Sequence, residues 1–308
     1  MPRVAERAIE VEGLRKDYGP HEAVAGITFS VDRGEVFGFL GTNGAGKTTT
    51  IEILEGYRQR TAGDVRVLGV DPAHPTRAWR NRIGLVLQEC ELEPIYTVRE
   101  TVSLYASFFE RPRDVDETIA LVGLRDKARA RVGTLSGGQK RRVDVAVALI
   151  GDPDLVFLDE PTTGFDPSAR REFWNVVEGL AGLGKTIFLT THYMDEAQHL
   201  AGRVAIMQAG RIVATGAPDR LGGADGGTVV RFRLPAGVAA ERVAAEAQAP
   251  VEAAGNEVSL RTTDPQRTLT RLLEWAERER LELGGLDVHR PSLEDVFLEL
   301  TSEEGAGG

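Results

Sequence analysis

Glycine recurs at short intervals in Gly41-Thr42-Asn43-Gly44-Ala45-Gly46-Lys47-Thr48, which lies between an apolar segment, Val36 to Leu40, and a segment of helical pattern, Thr48 to Gly56. The stretch fits the pattern G-x-x-x-x-G-K-[ST], in the strand, loop and helix setting where that pattern binds phosphate. Residues without side chains let backbone amides approach phosphate oxygens, and the positive end of the following helix favours an anion. We therefore expect the first βα unit of a parallel sheet, with a phosphate-binding loop at its turn.

Two side chains of this loop suit a nucleotide that carries magnesium. Lys47 can reach the β and γ phosphates as a point charge, and the Thr48 hydroxyl can bind Mg²⁺. The other residues of the loop that we expect to bind ATP are Gly41, Thr42, Asn43, Gly44, Ala45, Gly46 and Thr49. The alternative is a glycine turn beside a chance Gly-Lys-Thr, and the flanking strand and helix argue against it.

A second apolar segment, Leu155 to Leu158, ends in two carboxylates, Asp159 and Glu160. Ligands of open α/β sheets bind at the carboxyl ends of the strands, so that Asp159 suits the magnesium shell and Glu160 suits the attacking water. Without the phosphate loop, a buried strand that ends in a solvated turn would be the simpler interpretation. With both features present, the sequence predicts a two-part nucleotide site.

Other segments surround this unit. From Ala8 to Val31 short alternating apolar segments break at Tyr18-Gly19-Pro20, which indicates a small N-terminal antiparallel sheet. Residues from about 89 to 150 are mainly helical and open with a capping box, Thr97-Val98-Arg99-Glu100, which predicts an inserted helical subdomain. The core then resumes, with strands predicted at Thr186 to Thr190 and Arg203 to Met207 and a helix at Pro167 to Leu183.

Residues 222–227 are rich in glycine and predict a hinge after the ATPase domain, 1–221. We expect a small α+β accessory domain at 228–301 and a disordered tail at 302–308. The predicted strands of the accessory domain are Val229 to Leu234, Glu257 to Arg261 and Leu286 to His289. Its predicted helices are Ala239 to Gln248, Pro265 to Arg280 and Ser292 to Leu300. The expected fold class is α/β: a P-loop ATPase core with an N-terminal antiparallel β subdomain and an inserted helical subdomain, followed by the small α+β domain.

Composition and charge exclude several classes of protein. The 308 residues carry a net charge of −10, which would repel a nucleic-acid backbone, so that no nucleic-acid partner is expected. The single cysteine, Cys90, cannot form an internal disulfide, and no secretion signal opens the chain, which indicates the cytoplasm. The apolar segments are far shorter than the roughly 20 residues that cross a bilayer.

The stretch Leu135-Ser136-Gly137-Gly138-Gln139-Lys140 resembles, without a mismatch, the signature of ABC ATPases. Ser136 can cap a helix there, and the two glycines expose the amides at its positive end. Taken alone, Ser-Gly-Gly is as often a flexible loop as an anion site. Together with the phosphate loop and the Asp159 strand, it makes the chain similar to ATP-binding subunits of ABC transporters.

The resemblance implies roles for four more residues. Tyr18 corresponds to the aromatic residue that stacks on adenine, although by itself it could equally be a core or turn tyrosine. Gln88 corresponds to the glutamine that meets Mg²⁺ and senses the transmembrane partner. Asp166 corresponds to the acidic residue of the loop that crosses between subunits, and His192 to the switch histidine on the γ phosphate.

The resemblance also implies an ATP hydrolase that works as a homodimer, with two ATP molecules between the subunits and Mg²⁺ as the cofactor. The residues expected to act in trans are Leu135, Ser136, Gly137, Gly138 and Gln139. The expected catalytic residues are Glu160, His192, Lys47 and Gln88, and the expected metal ligands are Thr48, Gln88 and Asp159. A separate multi-span permease is implied as a partner, which places the chain at the cytoplasmic face of the cell membrane.

Two further stretches, Thr191 to Ala197 and Ser292 to Leu298, look like the ATPase subunits of antibiotic exporters of the daunorubicin-resistance type. They imply export of a hydrophobic compound such as an antibiotic. The second stretch also suits a helix with one buried face, so that core packing and subunit contact both stay open. The alternative function is a soluble ABC ATPase that acts in regulation or assembly, or on ribosomes or DNA. One cassette, with no long insertion between loop and signature, favours the transporter.

Overall fold

The structure is a computed structural model that describes residues 6–87, 92–221, 227–235, 237–289, 293–295 and 297. The chain divides into two compact units, Met1–Ala217 and Pro218–Gly308, which are described separately.

The first unit contains nine strands and seven α-helices within its described residues. The strands are β1 (Arg7–Tyr18), β2 (His21–Asp32), β3 (Val36–Gly41), β4 (Ala62–Val67), β5 (Ile83–Val86), β6 (Leu155–Asp159), β7 (Thr186–Thr191), β8 (Arg203–Gln208) and β9 (Arg211–Gly216). The helices are α1 (Lys47–Leu54), α2 (Arg77–Arg80), α3 (Val98–Ala106), α4 (Val115–Leu121), α5 (Gly137–Leu149), α6 (Pro167–Gly182) and α7 (Met194–Leu200). Two short 3₁₀ turns lie at Arg125–Lys127 and Val132–Thr134.

A six-stranded sheet with the order β5-β6-β7-β3-β8-β9 forms the centre of this unit. Its first five strands are parallel and β9 runs antiparallel to β8. Strands β3 and β7 are buried at every position, as expected for a parallel sheet that is covered on both faces. Leu40 pairs with Thr191, and Asp159 pairs with Thr190. Strands β3, β6 and β7 therefore end side by side, and they are followed by the phosphate loop, by Glu160 and by His192, respectively.

The antiparallel sheet has three strands in the order β2-β1-β4. The first two correspond to the predicted Ala8 to Val31 sheet, with the turn at Gly19-Pro20. The third, β4, follows α1 and was not predicted. Its hydrophobic signal is weak, since only Val65 and Val67 are buried in the core, and it pairs with β1 across about fifty residues of chain.

The helical subdomain is built from α3, α4 and α5. The predicted capping box is present at the start of α3: Thr97 Oγ1 accepts a hydrogen bond from the Glu100 amide (3.2 Å), and Glu100 Oε2 accepts one from the Thr97 amide (2.8 Å). The buried apolar side chains of all three helices belong to one cluster that includes Val102, Ile119 and Val145. The predicted α/β fold class is confirmed.

The second unit contains an antiparallel sheet with the order β11-β12-β10-β13. Its elements are α8 (Pro218–Leu221), β10 (Thr228–Arg233), α9 (Ala240–Ala247), β11 (Val251–Ala254), β12 (Glu257–Thr262), α10 (Pro265–Glu279) and β13 (Gly284–His289). Phe232 and Trp275 are fully buried between sheet and helices. Strand β11 was not predicted, because four residues with a single β-branched side chain carry little strand signal.

Several predictions fall on residues outside the described ranges. The predicted hinge at 222–227, apart from Gly227, and the tail at 302–308 lie outside them, as does most of the helix predicted at Ser292 to Leu300. The domain boundaries therefore stay predictions. Among the helices that the structure does describe, none combines the length and apolarity that a membrane span requires.

Candidate active site

The phosphate loop joins β3 to α1 and approaches neighbouring backbone too closely for side chains. A Cβ on Gly41 would lie 2.4 Å from the Met207 carbonyl oxygen, and one on Gly46 would lie 2.4 Å from the Ala23 carbonyl oxygen. Gly46 also has φ 104°, which side chains disfavour. The loop therefore keeps its amides bare at the N-terminal end of α1, where an anion is favoured.

Lys47 lies at the first position of α1 and is only 4% exposed. Its ammonium donates to the carbonyl oxygens of Gly41 (2.8 Å) and Thr42 (3.2 Å), and it lies 3.4 Å from Oε1 of Glu160. A buried charge must be paired or hydrogen-bonded. The loop carbonyls and the carboxylate meet this need and hold Lys47 at the mouth of the loop.

Glu160 follows β6 in a strained backbone conformation with φ 42°. Its amide donates to the carbonyl oxygen (3.1 Å) and to Oγ1 (3.0 Å) of Thr190, and its Oε2 accepts from the Thr163 hydroxyl (3.4 Å). A left-handed conformation costs a residue with a side chain about 1–3 kcal/mol and persists only where surrounding contacts hold it. Strain of this kind gathers at functional sites, which supports Glu160 as a reacting group.

His192 follows β7 and faces the same carboxylate. Its Nδ1 lies 3.3 Å from Oε2 of Glu160, without the alignment of a hydrogen bond. Its ring lies 4.1 Å from the ring of Tyr193, which in turn has the Arg170 guanidinium carbon 4.0 Å from its centre. Packing against Tyr193 therefore restricts the orientation of the imidazole.

Asp159 and Thr48 are oxygen donors that suit Mg²⁺, which proteins bind through one or two carboxylates together with substrate phosphates. Asp159 is buried and accepts a hydrogen bond from the Thr190 hydroxyl. Burial raises the pKa of Asp159, the Thr190 hydrogen bond opposes the rise, and the charge of Glu160 adds to it. A divalent cation would favour the ionised form. Among the described residues, no cluster of three or more acidic, histidine or cysteine side chains forms a cation site by itself.

Tyr18 ends β1 and is 40% exposed. The Lys16 ammonium lies 5.0 Å and the Arg58 guanidinium carbon 5.3 Å from the ring centre. The side chain is thus on the surface and outside the core. An accessible aromatic face suits base stacking, and its assignment to adenine stays a prediction.

The signature residues and Asp166 form a second group. Ser136 caps α5 and makes a capping box with Gln139, whose amide donates to Ser136 Oγ (3.3 Å). Asp166 caps α6 by accepting from the amides of Ser168 and Ala169, both at 2.9 Å. Ser136, Gly138, Gln139 and Asp166 line one cavity of about 180 Å³, and none of residues 41–48 lines it.

The structure thus brings together Lys47, Asp159, Glu160 and His192 and groups the signature separately with Asp166. Gln88 lies outside the described residues.

Sequence reasoning missed two residues. Thr190 contacts both Asp159 and Glu160. Arg141 donates hydrogen bonds to the carbonyl oxygens of Asp159 and Pro161, on either side of Glu160. Thr190 has no signal in the sequence besides its place at the end of the predicted strand Thr186 to Thr190. The position of Arg141 has no signal in the sequence besides its place in α5.

Glu55, which follows the last residue of α1, gives the first testable prediction. It is 6% exposed, and burial raises its pKa from the ordinary 4.5 to about 8, with the charges of Asp159 and Glu52 adding to the rise. At a pH between 4.5 and about 8, the Glu55 carboxyl holds a proton in the folded chain that it has released in the unfolded chain. The free energy of unfolding therefore falls as the pH rises through this range. Glu55→Gln removes this cost and should raise the free energy of unfolding at pH 8 by about 4 kcal/mol.

Urea unfolding of both proteins from pH 5 to pH 8.5 measures this difference. The gain should be small at pH 5 and grow with pH, whereas the control Glu117→Gln, with an exposed carboxylate on α4, should follow the wild-type slope. A gain for Glu55→Gln that does not depend on pH would contradict the prediction.

The geometry defines a P-loop nucleotide hydrolase, because a buried lysine, a strained glutamate and a histidine surround the glycine-lined start of a helix.

Residues 24–163 match the family described as "ABC transporter", and residues 228–292 match "ABC transporter domain-containing protein-like, C-terminal domain". The chain is 40% identical over 306 residues to "Nod factor export ATP-binding protein I" of Paraburkholderia xenovorans (strain LB400), covering 97% of this chain and 98% of the relative. It is 36% identical to "Daunorubicin resistance ATP-binding protein DrrA3" of Streptomyces coeruleorubidus, covering 98% of each chain.

Among solved structures, cbiO1 from Clostridium perfringens, part of the ABC transporter complex cbiONQ, matches with a TM-score of 0.65 and 30% identity over 70% of this chain and 90% of that one. The chain belongs to the ABC transporter family and is one of its ATP-binding, ATP-hydrolysing subunits. The resemblance inferred from the signature is confirmed, whereas the individual site residues stay predictions.

Proposed function

We propose that the chain is the motor of an exporter. Two copies bind MgATP between them at the cytoplasmic face of the cell membrane and drive a separate multi-span permease that exports a hydrophobic compound, such as an antibiotic. The similarity to the two exporter-named relatives extends over nearly the whole chain and supports this direction of transport. No observation favours the alternative of a soluble ATPase in regulation or assembly.

The arrangement of Lys47 and Glu160 carries the hydrolytic part of the proposal. A buried ammonium and a carboxylate that is only 11% exposed lie 3.4 Å apart at the carboxyl edge of the sheet, directly beside a loop of bare amides. The loop and Lys47 supply positive potential for phosphates, and Glu160 supplies a base close to them. Such an arrangement can hold a terminal phosphoryl group and accept a proton from a water that attacks it.

Each residue then has a defined task. Lys47 and the loop amides bind the β and γ phosphates, Glu160 orients the water and accepts its proton, and His192 donates to the γ phosphate. Thr48 and Asp159 would hold Mg²⁺, with Gln88 as the third expected ligand. When bound, Mg²⁺ would neutralise charge that develops on the phosphoryl oxygens. Catalysis at this site is mainly positioning and electrostatic stabilisation.

We further propose that the cavity beside the signature receives the nucleotide of the second subunit. The helix α5 begins there with Ser136 as its cap, and the free amides of its first turn favour a phosphate. Because this cavity and the Lys47 loop share no lining residue, one chain presents two separate half-sites. Two copies related by a two-fold axis would complete two sites at once.

Isolation of the tagged chain from its native membranes, followed by mass spectrometry, tests the transport assignment. We expect a multi-span permease in near one-to-one ratio with the chain. Ribosomes, or only soluble proteins, in place of a permease would contradict the proposal and favour the soluble alternative. A parallel preparation with Glu160→Gln, in the presence of ATP, should recover the same permease.

A further inference from the structure

We propose that Arg141 is a positioning residue that holds Glu160 in its strained conformation and links it to the signature helix. The inference rests on the proposed function, because it assigns Arg141 a part in the reaction of Glu160. Arg141 lies in the second turn of α5 and is only 7% exposed. Its guanidinium contacts three carbonyl oxygens in two separate segments of backbone.

The three contacts are hydrogen bonds to carbonyl oxygens. Nε donates to Pro161 (3.1 Å), Nη2 donates to Asp159 (2.9 Å), and Nη1 donates to Leu87. Asp159 and Pro161 are the residues immediately before and after Glu160. One planar group therefore holds the 159–160 and the 161–162 peptide units, which lie before and after Glu160.

This double contact explains how Glu160 keeps φ 42°. The positive φ is unfavourable for glutamate, and the chain would relax to a right-handed or extended conformation if its neighbours were free to turn. The guanidinium has its donors in a rigid fork, so that two carbonyls bound to it cannot rotate independently. A lysine at the same position keeps the charge and loses the fork.

The location of Arg141 gives the contact a second consequence. It lies five residues after Ser136 on the same helix, and Asp144 Oδ2, one turn further on, lies 3.7 Å from its Nη1. The helix start faces the proposed trans site, whereas the Arg141 side chain reaches the base of its own site. A movement of α5 would therefore be transmitted directly to the backbone that carries Glu160.

Arg141→Lys in the full chain tests the inference through the turnover number. We expect kcat to fall by roughly 10- to 100-fold, since a small misplacement of a reacting group has effects of that size. The KM for ATP and the affinity for a fluorescent ATP analogue should stay within about twofold of wild type. Rates are expressed per mole of bound analogue, so that unfolded protein does not enter the comparison.

A matched control is Arg60→Lys. Arg60 is 18% exposed and also makes three hydrogen bonds, to the Gly63 carbonyl (2.8 Å) and to both oxygens of Asp71 (2.7 Å each), away from the catalytic residues. Loss of these bonds should lower stability and leave kcat unchanged. Arg141→Gln, which leaves no unpaired charge, replaces Arg141→Lys if the latter does not fold.

The double variant Arg141→Lys/Glu160→Gln separates positioning from general support of the fold. If Arg141 acts through Glu160, the double variant should turn over as slowly as Glu160→Gln alone, within about twofold. Losses that multiply, or a wild-type kcat for Arg141→Lys beside a slow Glu160→Gln, would overturn this inference alone. A normal rate for Glu160→Gln would overturn the assignment of Glu160 and this inference with it.

Discussion

Glu160→Gln is expected to bind ATP and to lose nearly all turnover. The amide has the shape of the carboxylate and can still accept from the Thr163 hydroxyl, so that the backbone at φ 42° should be unchanged. It cannot accept a proton from water, and loss of a general base lowers the rate by about 10²- to 10⁴-fold. Steady-state phosphate release, with ATP in excess, measures the loss.

The same substitution should leave the affinity for ATP equal to that of the wild type or higher. In the free chain the Glu160 carboxylate lies 3.4 Å from the Lys47 ammonium, and it contributes negative charge where the phosphates would bind. Glutamine removes that charge and leaves Lys47 free to pair with phosphate. Equilibrium titration with a fluorescent ATP analogue would measure this. Near-normal turnover, or a large loss of affinity, would contradict the assignment.

Glu178→Gln is the control for this experiment. Glu178 lies on α6 with its carboxylate largely exposed and 3.2 Å from His199, away from Lys47 and His192. It should turn over as the wild type does. A similar loss in both variants would mean that turnover responds to glutamine substitution in general, and the effect could not then be assigned to the base.

The parts of the site that could be predicted are those contained in short stretches of chain. Each of these parts depends on residues that are close together in sequence: the phosphate loop, the Asp159 and Glu160 pair, and the Ser136 cap. Local interactions determine which structures such short stretches can form. The contacts between them depend on the order of the strands. Lys47 meets Glu160 because β7 alone separates β3 from β6, an order that the linear pattern does not contain.

The same reason explains what was missed. Thr190 reaches Asp159 through the alignment of two parallel strands, and Arg141 reaches Asp159 and Pro161 through the packing of α5 on the sheet end. Strand β4 pairs with β1 across the whole phosphate loop and α1. In each case the partner is distant in sequence, and neither periodicity nor spacing indicates it. Long-range pairing, rather than local propensity, completes the site.

Gly137→Asp is expected to abolish turnover through the second half-site. Gly137 is the first residue of α5, and a Cβ there would have no atom within 4 Å, so that the aspartate fits without a clash. A carboxylate in the first turn stabilises the helix and repels a phosphate placed at its start. We expect a loss of at least about 100-fold in turnover, with folding intact. Gly137→Ala, which adds only a methyl group in open space, is the control.

A mixed dimer of Gly137→Asp and Glu160→Gln subunits, isolated with two different tags, then tests whether the two half-sites act across the interface. If they do, one site of the mixed dimer combines both defects, and the other combines an intact Glu160 with an intact signature. Turnover should then recover to roughly half of the wild-type value per dimer, because one of two equivalent sites is complete. If each signature served its own subunit, both sites would be defective and the mixed dimer would stay as slow as its parents. That result would contradict the shared sites, and failure to isolate any doubly tagged dimer would contradict the homodimer itself.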